Sequence, residues 1–125
     1  MPIEGKNSAP IKQYERRKDS IHITVPRGKG IEYKIEVLKY GQLKYAWKTD
    51  QGILFLDLHG DVKSADTKSA YYESYSVANS NNMAGSFLAP FEGRHGWYFK
   101  NRSDVDIEVT LILTGEYQLI TNKLN

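Results

Sequence analysis

The feature that most constrains this chain is an alternation near its C-terminal end. Val105, Ile107, Val109, Leu111 and Leu113 are apolar, and the residues between them are mostly polar. A period of two lines one face of a β-strand and cannot line a helix. The same period recurs in Ile21, Ile23 and Val25, in Ile31, Tyr33, Ile35 and Val37, and in Leu43, Tyr45 and Trp47. Leu54, Leu56 and Leu58 form another such set, with Phe55, Asp57 and His59 pointing the other way, and Trp97 and Phe99 share the inward parity of His95. Turn formers separate these segments: Pro26–Gly30, Gly41, Asp50–Gly52, Asn79–Asn82, Pro90–Gly93 and Asn101–Asp104. Ala70–Val77 reads as a further strand with Tyr71, Glu73 and Tyr75 on one face, and a short strand runs through Phe87 to Ala89. About eight short strands without a helical period predict an all-β fold, an antiparallel β-sandwich or jelly roll.

Two pairings are open to sequence reasoning. Ile31–Val37 and Leu43–Trp47 form a hairpin across Tyr40-Gly41-Gln42, or the chain crosses between sheets there. Arg94–Lys100 is expected to pair with Val105–Thr114 across Asn101-Arg102-Ser103-Asp104. Residues 1–20, with two prolines and few apolar side chains, read as a flexible basic stalk ahead of one domain over residues 21–125.

The net charge is +2, from 17 Lys and Arg against 15 Asp and Glu. Lys6, Lys12, Arg16, Arg17 and Lys18 outnumber Glu4, Glu15 and Asp19 in the stalk by that same margin, so the rest of the chain is neutral. A nucleic-acid partner, which would call for positive charge on the folded part, is not expected. The absence of cysteine excludes disulfides, thiolate catalysis and Cys-based zinc sites. Apolar runs are far shorter than the roughly 18 residues of a span or the 7 of a signal core, so a soluble chain is expected and the cytoplasm remains open as its location.

The chemistry-bearing residues gather around two His-Gly pairs, His59-Gly60 in "DLHGD" and His95-Gly96 in "RHGWYF". His59, His95, Glu73 and Asp61, with Asp57 in reserve, are candidate ligands for a divalent metal, two imidazoles and carboxylates suiting zinc, copper or iron. Parity opposes this: His59 points away from the core and His95 towards it, so one shared site requires a bulge, which the neighbouring glycines would permit. The plainer reading has both histidines hydrogen-bonding strand ends, with no cofactor. Tyr71, Tyr75 and Tyr98 are candidates for a sugar-binding platform. His22, on a polar strand face, reads as solvated. Neither a G-x-S-x-G elbow nor a glycine-rich phosphate loop is present, which weakens enzymatic readings. Asn101-Arg102-Ser103 has the form of a glycosylation sequon, and a turn explains it equally well.

Between Gly30 and Tyr117 the order of motifs resembles a bacterial family known as transmembrane anchor proteins. The likeness lies in Gly30–Glu36, Leu43–Trp47, Phe55–Asp61, Tyr72–Tyr75, Gly85–Phe87, Ala89–Phe91, Gly93–Asn101 and Gly115–Tyr117. More distantly, "HGWYF" followed by a long alternating strand is similar to the GOLD and pre-peptidase C-terminal sandwiches. The resemblance implies a GOLD-like sandwich in the periplasm or elsewhere outside the cytoplasm, joined to a membrane by a segment this chain does not show. It implies no catalytic residues. The expected function is a non-catalytic binding or interaction module of a membrane-associated assembly, taking a protein partner, a small ligand or a glycan. A metal-dependent protein using His59 and His95 and a carbohydrate-binding module are the alternatives. Homo-oligomers through an edge strand such as Ile21–Val25 are a further expectation.

Overall fold

The computed structural model describes residues 12–62 and 71–120. Nine strands run β1 (Arg16–Val25), β2 (Gly30–Val37), β3 (Gln42–Thr49), β4 (Leu54–Val62), β5 (Tyr71–Ser80), β6 (Asn82–Leu88), β7 (Gly93–Lys100), β8 (Ile107–Glu116) and β9 (Gln118–Leu119). They form a four-stranded sheet of order β1-β8-β3-β6 and a five-stranded sheet of order β5-β4-β7-β2-β9. All pairings are antiparallel. Strand β1 pairs with β8, β2 with β7, β3 with β6 and β4 with β5. The first eight strands therefore form one long hairpin rolled on itself, which is the jelly roll.

Rolling explains both pairings that sequence reasoning left open or misplaced. Strands β2 and β3 belong to different sheets, so the chain crosses between them. It does so through a turn closed by Gly41 N–H donating to the Leu38 carbonyl at 2.9 Å. Strands β7 and β8 also belong to different sheets, and the expected hairpin does not form. The two edges of β8 are taken by β1 and β3, and those of β7 by β4 and β2.

Strand β1 starts at Arg16, inside the expected stalk. "RRKDS" has no apolar alternation, so the cause is tertiary. Its residues pair with the last turn of ladder in β8, Arg16 opposite Glu116 and Asp19 opposite Leu113. The buried Tyr117 hydroxyl donates to Asp19 at 2.6 Å, and Arg17 Nε donates to the same carboxylate at 2.9 Å. The Arg17 bond, followed by that of Tyr117, holds the Asp19 carboxyl below its ordinary pKa. Burial, followed by Asp19, pushes the Tyr117 phenol up.

Alternating residues of both sheets fill the interior. Trp97 and Phe99 of β7 meet Tyr45 and Trp47 of β3 edge-on, at ring separations of 5.8 and 5.1 Å. Of the cleanest alternation in the sequence, Ile107, Val109, Leu111 and Leu113 are buried, while Val105 lies before β8 and is exposed. Asn101 is also fully buried. Its amide donates to the carbonyls of Val25 and Val105, and its oxygen accepts from the Ser103 N–H and hydroxyl. The sequon is thus a turn whose asparagine is used up by the fold.

The two outer faces differ. Register on the four-stranded sheet aligns Lys18, Thr114, Lys44 and Ser86 in one row, and Ser20, Ile112, Ala46 and Ala84 in the next. His22, Thr110, Lys48 and Asn82 form the third. On the five-stranded sheet, Lys34, Gly96, His59 and Ser74 form one row, and Glu32, Tyr98, Asp57 and Val77 the next.

Candidate functional site

The two His-Gly pairs lie opposite each other in the β4–β7 ladder. His59 pairs with Gly96, and Gly60 pairs with His95. Each histidine therefore stands beside the other pair's glycine, and since neighbouring residues of a strand face opposite ways, the two rings lie on opposite faces of one sheet. They do not share a site. The metal centre expected from His59 and His95 together is not assembled, because the pairing exchanges partners in register and no bulge in β4–β7 reverses it.

His95 belongs to the interior. A Cβ placed on Gly60 would lie 2.7 Å from His95 Nδ1 and 2.8 Å from the Phe91 ring, and would collide with the Tyr75 hydroxyl. Only glycine leaves room for that cluster. Phe91 and Tyr75 stack on the imidazole at 5.0 and 5.8 Å. Its Nε2 lies 3.0 Å from the Phe91 carbonyl, and its Nδ1 lies 3.0 Å from the Tyr75 hydroxyl. A carbonyl only accepts, so Nε2 carries the proton and Nδ1 accepts from Tyr75. Burial pushes the His95 pKa down, partly opposed by the Phe91 bond.

Tyr75 reaches this position through a bulge. The β4–β5 register slips between Leu58 and His59, from Ser76 to Ser74, leaving Tyr75 as the extra residue. Strict alternation with the exposed Val77 would put Tyr75 outside; it packs instead against the core. Tyr98, by contrast, is on the outer face. The expected tyrosine platform is therefore divided between the two sides of the sheet, and the side chains of Tyr71 and Glu73 lie outside the described residues.

His59 is the centre of the outer face, and although it points outward it is only 5% exposed. Its Nε2 lies 2.7 Å from Glu32 Oε2, and its Nδ1 lies 3.1 Å from the Asp57 carbonyl. Both ring nitrogens face oxygen acceptors. Asp61 and Asp57 place carboxylate oxygens at 3.9 and 3.8 Å. Lys34 Nζ donates to Asp61 at 2.7 Å and lies 3.8 Å from Glu32. Gly96 makes this lysine's position available: a Cβ there would come within 2.8 Å of Lys34 Cγ and 2.6 Å of the Tyr33 carbonyl. Ser74 donates to Asp57 at 2.8 Å.

Beside this network lie Phe55 and Tyr98, meeting edge-on at 6.5 Å, with the Arg102 guanidinium 4.9 Å above the Phe55 ring. Together Glu32, Lys34, Phe55, Asp57, His59, Asp61 and Tyr98 line an open depression of about 500 Å³. Of the residues expected from sequence, His59, Asp61, Asp57 and Tyr98 meet here, and His95 and Tyr75 do not. Glu32, Lys34 and Phe55 were missed. Each alternates with core residues on its strand and looks like ordinary solvated surface until cross-strand register aligns it with His59. Among the described residues, no group of three or more His, Asp or Glu side chains is arranged to hold a metal ion. No helix among them is long and apolar enough to cross a membrane. Compared with known proteins, the chain matches no family model and no curated sequence.

Proposed function

We propose that this domain is a non-catalytic binding module that takes its ligand in the His59 depression, and that the ligand is polyhydroxylated, a glycan or a related polyol. The observation that carries this reading is the juxtaposition, in one shallow hollow, of two aromatic rings with carboxylates and a lysine. Aromatic faces accept the apolar side of a sugar ring, while carboxylates and ammonium groups bond its hydroxyls. The carboxylates already have partners, Glu32 in His59, Asp61 in Lys34 and Asp57 in the Ser74 hydroxyl. That arrangement orients hydrogen-bonding groups for recognition and leaves none with the displaced partner expected of a poised acid or base. The likeness to the sandwich of bacterial transmembrane anchor proteins supports placing the module outside the cytoplasm in a membrane-associated assembly.

The test is chemical-shift mapping of the isotope-labelled protein against a panel of neutral and acidic oligosaccharides. Shifts confined to β2, β4 and β7, and abolished by Tyr98→Ala and by Glu32→Gln, would support the reading. Saturating ligand at about 100 times its dissociation constant would add about 2.7 kcal/mol of stability. Shifts elsewhere, or none with any sugar, would overturn it.

A further inference from the structure

We propose that the outer face of the four-stranded sheet docks on an anionic lipid bilayer, with Tyr40 and Leu88 entering the interface at one end. This surface is on the other sheet from the His59 depression and does not rest on that reading. Three successive rows of side chains on this face contain Lys18, Lys44 and Lys48 and no carboxylate. Lys18 and Lys44 are two strands apart, about 10 Å, and Lys44 and Lys48 are four residues apart on one strand, about 13 Å. The carboxylates at the ends of the face are engaged. Glu108 accepts from the Thr24 hydroxyl, and Glu116 accepts from Gln42 N–H and lies 3.8 Å from Arg16. Among the described residues the three lysines have no acidic partner in their rows, and the small side chains Ala46, Ala84 and Ser86 leave an open hollow beside Lys44.

The second observation is independent of charge. Tyr40 has φ +72°, at the third position of a turn closed by Gly41 N–H and the Leu38 carbonyl. That position favours glycine or asparagine, and a bulky residue there is strained. The fold nevertheless displays the tyrosine, 53% exposed, next to Leu88 at 56%. Tyr40 N–H donates to the carbonyl of Ala89, the residue after Leu88, at 2.7 Å. Lys39 sits 5.1 Å above the Tyr40 ring. An exposed aromatic with a polar tip, an exposed leucine and snorkelling lysines are the side chains that stabilise contact with a headgroup layer. Recognition of nucleic-acid phosphates would favour arginine forks and stacked aromatics across the face, neither of which is present in these rows.

The experiment is co-sedimentation of the full chain with vesicles of phosphatidylcholine, pure or containing about one-third phosphatidylglycerol. Binding is expected only to the anionic vesicles and should weaken as salt rises through about 0.1 M. Replacing Lys18, Lys44 and Lys48 by Gln should lower partitioning about fivefold each, about a hundredfold together. Their exposure leaves folding intact, checked by thermal melting. Tyr40→Gly should weaken binding severalfold while raising the melting temperature, which separates the contact from any loss of fold. Equal binding to neutral vesicles would overturn the proposal, as would binding lost through Lys6→Gln with Lys12→Gln but retained without the three sheet lysines. So would equal affinity for a single-stranded oligonucleotide at matched phosphate concentration, which would mark a general polyanion surface.

Discussion

The outer faces of the two sheets start from the same period-two pattern and arrive at different surfaces. On the four-stranded sheet, Lys18, Lys44 and Lys48 stand apart from one another around an open apolar hollow lined by Ala46, Ala84 and the exposed Ile112. On the five-stranded sheet, a glycine opens the floor beside a histidine. Gly96 lets Lys34 lie across the sheet to Asp61, and His59 sinks between Glu32 and Asp57 until it is nearly buried. One missing side chain thus turns a solvated face into a connected one. Small residues alone do not achieve this: the hollow at Ala46 and Ala84 joins no pair of charged side chains among those described. What distinguishes the second face is a glycine placed where register brings Lys34 from one neighbouring strand and His59 from the other.

The largest expected effect comes from refilling a vacated position. Gly60→Ala drives a methyl into the Tyr75, His95 and Phe91 cluster and should cost about 2–3 kcal/mol, read as a lowered midpoint in chemical denaturation. If it is tolerated without loss, the pairing of each histidine with the opposite glycine is incidental. His59→Ala tests the outer counterpart. It leaves Glu32 without its 2.7 Å partner, and a loss of about 1–2 kcal/mol is expected in the same assay. A change of the opposite sign is expected in the turn between β2 and β3: Tyr40→Gly relieves a left-handed backbone and should stabilise by about 1 kcal/mol. The smallest effect sharpens the contrast most. Lys44→Gln should change stability by no more than about 0.5 kcal/mol. A larger loss would mean that the face of the four-stranded sheet is as interconnected as that of the five-stranded one.

Much of this architecture was legible in the residues. The alternations identified the strands, their inward faces and the turns at Pro90 and Asn101. Side-chain parity alone separated His59 from His95. What escaped was what depends on distant partners. Nothing within Ile31–Trp47 says that β2 and β3 join different sheets, because pairing is decided by β7 and β8, more than fifty residues away. Nothing in "RRKDS" marks a strand, because its ordering comes from β8 and from Tyr117. The bulge at Tyr75 inverts one residue in an otherwise regular strand and has no local signal such as a glycine. Glu32 and Lys34 could have been singled out only by aligning the outward positions of three strands, which requires the register.

The central claim is that His95 is built into the interior while His59 serves the outer face. Nitrogen-resolved spectra of the two imidazoles, followed from neutral to mildly acidic pH, test it most directly. With its pKa lowered below the ordinary 6.5, His95 should remain neutral, protonated at Nε2 and bare at Nδ1, after an unfolded histidine would have gained its proton. The unfolded chain then binds more protons than the folded one, so His95's contribution is complete above about pH 6.5 and is lost as the pH falls from there through the native value. Melting temperatures recorded alongside should decline over that range. A His95 that titrates at 6.5, or that carries its proton on Nδ1, would contradict the account. A divalent metal that perturbs both rings together would do the same.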